Sequence, residues 1–350
     1  MRFKGFKTVS FTSVGNRGLN PTISLSRTRR VENPVWNFTL PYTFQGTVAG
    51  YTSGGRFSPV GQGEASDVID KFPFATNANA TDVGDLTAVP GVGIAGDGRR
   101  NVSGQSSDVS GYTSGGYNPS AGPPTATNII DKFPFATNAN ATDVGDLTAL
   151  KSSIAGQSSG TSGYVSGGDN VIEKFPFASN GNATDVGDLT VGRSGVTGQS
   201  STVSGYTSGG TSNGNVIDKF PFASDANATD VGDMTTSRSF SAGQSSSTHG
   251  YVSAGAPGPG AGGIIDKFPF ATDSNATNIG YLTSGGGAYG TGFPGVAGQS
   301  SETHGYSSGG NIFVQSLQNI IDRFSFASDG NATDVGDLTQ ARAWAAGQQD

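Results

Sequence analysis

The chain has 350 residues, among them 56 Gly, with 13% charged and 33% hydrophobic residues and a formal net charge of −7. With no Cys and only two His, it can build neither a disulfide framework nor a thiolate metal site, and most imidazole-based acid–base or metal constellations are removed as well. No run of about 18 apolar residues occurs, so no membrane insertion through a spanning helix is expected.

The first element in chain order is a basic arm, residues 1–43. Arg2, Lys4, Lys7, Arg17, Arg27, Arg29 and Arg30 fall within the first thirty residues, where no acid occurs. The remaining residues hold thirteen basic side chains against all twenty-seven acids, a net of −14. A basic arm on an acidic body suits docking on an acidic partner; the plainer reading is a solvated terminus. The anchor candidates are Arg2, Lys4, Lys7, Arg27, Arg29 and Arg30. No apolar stretch follows them, so a cleavable secretory signal is not read here.

Residues 44–350 form one repeat domain. Gly-Tyr pairs recur at Gly50-Tyr51, Gly111-Tyr112, Gly163-Tyr164, Gly205-Tyr206, Gly250-Tyr251 and Gly305-Tyr306, with spacings of 61, 52, 42, 45 and 55 residues. A mean near fifty matches the blade length of a propeller. Each copy holds four short segments of strand character: a Gly-Gln segment (Ala242–Ser246), a Gly-Tyr segment closing on a small pair (Gly205–Gly210), a third segment (Val216–Phe222) and a fourth (Thr229–Thr235). They are separated by Gly, Asn, Asp and Ser and show no helical period, which predicts four antiparallel strands per unit. The Pro of each Phe-Pro-Phe triplet lacks an N–H and belongs at a strand end, an edge or a bulge. The paired Phe side chains are expected between adjacent blades.

Gly-Gln precedes Gly-Tyr by seven residues in five copies, but Thr43-Phe44 stand there in the first, while Gly347-Gln348 end the chain with no Gly-Tyr after them. The two defects are complementary. The C-terminal strand should complete the first blade and leave no open edge, giving six blades. A seven-bladed ring, with Pro41–Val48 in an irregular extra blade, is the alternative.

Two connections in each repeat keep their length and two vary, the latter by 5 to 15 and by 8 to 17 residues. Alternate turns of an up-and-down blade lie on the same side, so one face of the disc is constant and the other variable. Binding residues gather where loops vary on a rigid frame. Arg56, Phe57, Arg99, Arg100, Tyr117, Tyr289, Phe293 and Phe313 are the recognition-face candidates, with neutral drift of surface loops as the competing account.

The recurring Asn-Ala-Thr-Asp-Val-Gly-Asp phrase carries oxygen donors at spacings that raise calcium binding, but it lacks the EF-hand order, and Asn and Asp serve turns in any case. Its Asn residues, Asn79, Asn140, Asn182, Asn227, Asn275 and Asn331, are formal glycosylation sequons. They recur because the unit recurs, and no glycan is expected. His249 and His304, each before a Gly-Tyr pair, read as turn residues. No nucleophile–base set or phosphate-cradling loop is present, nor are sialidase-type Asp boxes or a Cys–Tyr copper site. No catalytic residue, metal or cofactor is expected, and the chain reads as a non-enzyme.

The closing Gly pair, the hydrophobic strand after it and the period near fifty resemble the Kelch repeat over residues 44–350. Departures are Phe-Pro-Phe and Asp-Val-Gly-Asp-Leu-Thr in place of the Tyr and Trp that follow the pair in that family, and Ala254-Gly255 in one copy. The phrases Ile-Asp-Lys-Phe-Pro-Phe-Ala, Asn-Ala-Thr-Asp-Val-Gly-Asp-Leu-Thr and Gly-Gln-Ser-Ser resemble Kelch-like proteins of marine tailed phages. That resemblance implies a virion protein (tail, neck, fibre or capsid surface) present in several copies. Its arm would hold it to other virion proteins, and its variable face would meet a host surface glycan or protein. A carbohydrate-binding adhesin and a Kelch-type adaptor are the other two classes.

Overall fold

The computed structural model describes residues 44–57, 65–89, 98–119, 125–212, 214–256, 262–283, 292–312 and 316–350. These residues form a six-bladed β-propeller, with no helix among them. From inner to outer strand, blade one is Ala346–Gln349, Ala49–Ser53, Val68–Pro73 and Thr81–Asp85, so it is assembled from both ends of the domain. Blade two is Ser103–Ser106, Ser110–Ser114, Thr125–Pro134 and Thr142–Lys151; blade three is Ala155–Ser158, Ser162–Ser166, Val171–Pro176 and Thr184–Asp188. Blade four is Thr197–Ser200, Ser204–Ser208, Val216–Pro221 and Thr229–Asp233; blade five is Ala242–Ser245, His249–Ser253, Ile264–Pro269 and Thr277–Tyr281. Blade six is Ala297–Ser300, His304–Ser308, Ile320–Ser325 and Thr333–Asp337. Residues 44–48 make no seventh sheet. Gly46 instead bridges Ser301, and the Gln45 amide donates to the Ser245 carbonyl at 2.9 Å.

Each residue of the repeated phrases has a separate task in this ring. A Cβ on Gly198 would stand 2.1 Å from the Gly156 carbonyl oxygen of the preceding inner strand, and the same contact recurs around the axis through Gly104, Gly156, Gly243, Gly298 and Gly347. Only glycine lets six inner strands come so close. The next residue is Gln, whose amide donates to the backbone carbonyl of the following blade's Tyr, as from Gln157 to Tyr206 at 2.9 Å and from Gln348 to Tyr112 at 2.9 Å. The first Ser then joins a closed hydrogen-bonded circle. Ser106, Ser158, Ser200 and Ser245 each donate a backbone N–H to the next blade's Ser hydroxyl, Ser300 donates to the Gln349 side-chain oxygen, and Gln349 N–H returns to Ser106. The second Ser caps the hairpin, its hydroxyl accepting the N–H groups two and three residues on, as Ser201 does from Val203 and Ser204.

Aromatic rings fill the spaces between blades. Phe72 lies over Gly50 of its own blade, where any Cβ would strike the ring at 2.4 Å. Phe72 and Phe74 then meet Tyr306 of the preceding blade, with centroid distances of 5.5 and 4.8 Å. Five further Phe pairs repeat this contact, ending with Tyr251 against Phe324 and Phe326. Each Pro terminates its strand, as the sequence requires; Pro221 is the last residue of Val216–Pro221. Burial pushes the Tyr206 hydroxyl up to about 12.

The outer strands carry a second set of joints. Asn79, Asn140, Asn182, Asn227, Asn275 and Asn331 each accept a backbone N–H from the outer strand of the preceding blade, at 3.0 to 3.2 Å. The Asp two residues before the bulge Gly caps its own turn, as Asp230 does for Gly232. The sequon Asn side chains are therefore part of the blade-to-blade joint. Among the described residues no group of three or more His, Asp or Glu side chains could hold a metal ion. Charged neighbours on the third strand point to opposite sides: Asp218 is fully buried, whereas Lys219 reaches Asp273 of the following blade at 3.0 Å.

Candidate functional site

The variable face has a buried electrostatic floor. In the third strand of every blade the residue after the central Ile is a buried acid: Asp70, Asp131, Glu173, Asp218, Asp266 or Asp322. A register shift beside each of them marks a β-bulge in the adjoining outer strand. The acid accepts hydrogen bonds from the Thr that ends the preceding blade, for example from Thr190 to Asp218 through both N–H (3.1 Å) and hydroxyl (2.7 Å). In five blades it also meets a buried cation that stands four residues before the inner strand of its own blade. The pairs are Arg342–Asp70 at 2.8 Å, Arg99–Asp131 at 2.5 Å, Lys151–Glu173 at 2.8 Å, Arg193–Asp218 at 3.0 Å and Arg238–Asp266 at 3.0 Å. Each Arg donates onward to backbone carbonyls of its own blade, as Arg342 does to Val68 and Thr52. These pairs tie three segments together, and breaking one would strand a charge in a dry interior.

This floor changes the assignment of two sequence candidates. Arg99 is 0% exposed and pairs with Asp131, so it is withdrawn from the surface. Phe293 is 3% exposed and packs into the core of blades five and six beside Val296 and Leu282. Both stand four residues before an inner strand, as do Arg193, Arg238, Arg342 and Lys151. Arg56, Phe57, Arg100 and Tyr117 are half-buried on the variable side. Tyr289 and Phe313 lie outside the described residues, as do the arm candidates Arg2, Lys4, Lys7, Arg27, Arg29 and Arg30.

Above the floor, the mouth of the central channel is ringed by six equivalent residues, two positions before each inner strand: Asn101, Ser153, Gly195, Phe240, Gly295 and Trp344. All have left-handed backbones, with φ between 55° and 79°. Each N–H donates to the carbonyl of the preceding member, at 2.6 to 2.9 Å, and Asn101 N–H closes the circle on Trp344. Gly and Asn take this conformation cheaply, but a bulky aromatic in it is an outlier. Sequence reading missed these residues, although a count back from each Gly-Gln pair would have aligned them.

The side chains of the ring fall into three pairs. The Asn101 amide donates to the Ser153 hydroxyl at 2.7 Å. The Phe240 ring lies against Gly195 and the Trp344 ring against Gly295, where a Cβ would come within 3.2 Å of each. Next to Trp344, the Arg56 guanidinium stands 5.7 Å from the indole centroid, and Arg56 and Ala343 exchange backbone hydrogen bonds. Arg100 lies 4.8 Å from the Tyr117 centroid and donates to its hydroxyl at 3.4 Å. Burial, followed by the charge of Arg100, draws the Arg56 guanidinium below the ordinary arginine range.

The channel below the mouth is a cavity of about 100 Å³ lined largely by inner-strand Gly and small side chains. The mouth residues Asn101, Ser153, Phe240 and Trp344 line the same cavity. No family model matches the chain, and no curated protein matches it.

Proposed function

We propose that this chain is a non-enzymatic binding protein whose working surface is the variable face of its propeller. A propeller of this kind is compatible with a protein-interaction or other binding role. One observation carries the reading: the recurrent polar side chains are consumed in joints between blades, whereas the residues that differ between blades collect around the channel mouth. The finer assignment rests on the wording of the repeats. Its resemblance to Kelch-like proteins of marine tailed phages makes the chain a virion component held to other virion proteins by the basic arm. Mass spectrometry of purified particles tests this directly. Recovery of the chain in several copies per particle supports it, and absence from particles that are otherwise complete overturns the virion assignment. The adhesin reading is favoured by the aromatic and guanidinium groups at the mouth.

A further inference from the structure

We infer that a hollow on the variable face beside blades two and three, with Asp169 at its edge, binds a protonated alkylamine: a lysine side chain or a free diamine. The inference rests on the reading of the variable face as the working surface, but not on the virion assignment. Three observations lead to it.

The first is shape. In blade two the third and fourth strands run ten residues each, Thr125–Pro134 and Thr142–Lys151, whereas those of the other blades run five or six. Blade three has the shortest connection after its Gly pair, a step of 5 from Gly168 to Glu173. A tall hairpin next to a short loop leaves a hollow of about 320 Å³, whose lining includes Ala126, Ala149, Leu150, Ser152, Asp169 and Ser194. That volume is enough for a small ligand.

The second is charge, for which the other repeats serve as the comparison. Four blades pair a buried Arg with one buried Asp. Blade three alone uses Lys with Glu, and it alone places an acid, Asp169, directly after the Gly pair. Lys151 Nζ stands 2.8 Å from Glu173 and 2.9 Å from Asp169, so one cation faces two carboxylates and one negative charge is left over. Glu173 is fully buried, whereas the Asp169 side chain is 46% exposed. Asp169 Oδ1 accepts from Lys151 and from the Val171 N–H; its Oδ2 has no partner among the described residues.

The third is what surrounds that free oxygen. Ser152 and Ser194 bring hydroxyls, and Leu150 is 57% exposed, with Ala126 and Ala149 lining the same hollow. An ammonium has three N–H donors for the carboxylate oxygen and the hydroxyls, and its alkyl stem can lie along Leu150. A guanidinium bonds best by a fork to both carboxylate oxygens, and Oδ1 is already engaged. The net −14 of residues 31–350 draws cations and not anions towards this face.

The test follows backbone amide signals of the full chain by NMR as Nα-acetyl-lysine methylamide is added. The corresponding norleucine and arginine amides and the diamine cadaverine are the other probes. Saturable shifts are expected at Ser152, Val171 and Ser194 with the lysine amide and none with the uncharged norleucine amide. The arginine amide should bind about tenfold more weakly. Asp169→Asn leaves Lys151 paired with Glu173 and should weaken binding about tenfold, the loss of one charge-assisted hydrogen bond. Asp225→Asn, which removes an exposed acid of blade four that pairs with Lys174, should leave binding unchanged. Should Asp169→Asn fold poorly, the lysine-to-norleucine comparison on the parent protein still decides. Cadaverine binding as tightly as the lysine amide assigns the site to free diamines, and weaker cadaverine binding assigns it to a peptide side chain; both uphold the ammonium site. Equal shifts with the norleucine amide, unchanged binding by folded Asp169→Asn, or no saturable shift at the three amides overturns the inference. If Asn101 and Trp344 at the channel mouth respond instead, the ammonium site falls while the variable-face reading survives. A response confined to constant-face hairpins, such as that of Val109, counts against both. The particle-composition test is independent of all these outcomes.

Discussion

Thr283 donates both its backbone N–H and its hydroxyl to the buried carboxylate of Asp322, at 2.9 and 2.6 Å, and no Lys or Arg among the described residues joins them. Every other blade supplies a cation to this acid. Blade six places Phe293 at the corresponding position, so among the described residues its buried carboxylate has no counterion. Burial raises the Asp322 carboxyl above the usual aspartate range, opposed by the two Thr283 hydrogen bonds.

Folding is therefore penalised when Asp322 ionises. Because its folded value lies above the unfolded one (about 3.9), the folded state binds the proton more tightly. Below the unfolded value there is no penalty; the penalty grows as pH rises towards the folded value and is complete above it. Asp322→Asn should thus melt at the same or a higher temperature than the parent at pH 7. The advantage should shrink as pH is lowered, since the parent then protonates. Asp218→Asn should melt below the parent at pH 7, because it strands Arg193 at a cost of about 3–5 kcal/mol. Urea unfolding of both variants across pH checks the contrast, and a loss in Asp322→Asn equal to that in Asp218→Asn would refute it.

The contrast between blades also shows what a reader of the sequence could and could not see. Gly-Tyr spacing and the complementary defects at Phe44 and Gln348 were enough for six blades, because strand period and ring closure are written locally. Loop-length variation separated the two faces for the same reason. Arg99 was misplaced because it neighbours Arg100 in a long loop, and its burial depends on Asp131, 32 residues away. Counting forward from the Thr that ends each outer segment finds Lys151, Arg193, Arg238 and Arg342 at the third residue but misses Arg99, which follows Thr87 across a longer loop; counting back four residues from each inner strand aligns all five. Nor can a single repeat show that Asn227 serves the preceding blade, since that contact exists only once the blades are stacked.

The close approach of inner strands predicts an unusually costly small substitution. Gly198→Ala would place a methyl carbon 2.1 Å from the Gly156 carbonyl oxygen, a backbone atom that cannot move without shifting a neighbouring blade. Overpacking of this kind costs about 1–3 kcal/mol, and more where the backbone is fixed. Gly181→Ala is the control, since nothing lies within 4 Å of its Cβ. Chemical denaturation should show a large drop in midpoint for the first and little change for the second; similar midpoints would show that the inner ring is looser than its geometry implies.

Closure through the C-terminal strand predicts long-range coupling. Gln348 donates to Ser53 and Thr113 hydroxyls and to the Tyr112 carbonyl, joining the last strand to blades one and two. Gln348→Ala leaves that carbonyl short of a donor in a buried site, at a cost of about 1–3 kcal/mol. Truncation after Leu338 removes the whole inner strand of blade one together with Arg342, leaving Asp70 without its cation. Hydrogen exchange should then speed up in Ala49–Ser53 and also in Ser103–Ser106, which loses its neighbour at the axis. A truncated chain with the parent's melting temperature would mean that the ring does not depend on this strand.

The strained backbone of the channel mouth predicts that two aromatic residues there cost stability. Phe240→Asn puts into blade four's exit the residue that blade two's entry already uses at the same left-handed angle, Asn101. The substitution relieves about 1–2 kcal/mol of backbone strain and gives up only the contact of a half-buried ring with Gly195. Melting should therefore occur at or above the parent temperature. Trp344→Asn should behave alike in melting, since its ring also lies against a glycine of the preceding blade entry, Gly295. Stabilisation by both changes would show that the aromatic residues are not kept for stability. Strong destabilisation by both changes would instead assign them to packing of the mouth, and the strained geometry would then need no functional explanation.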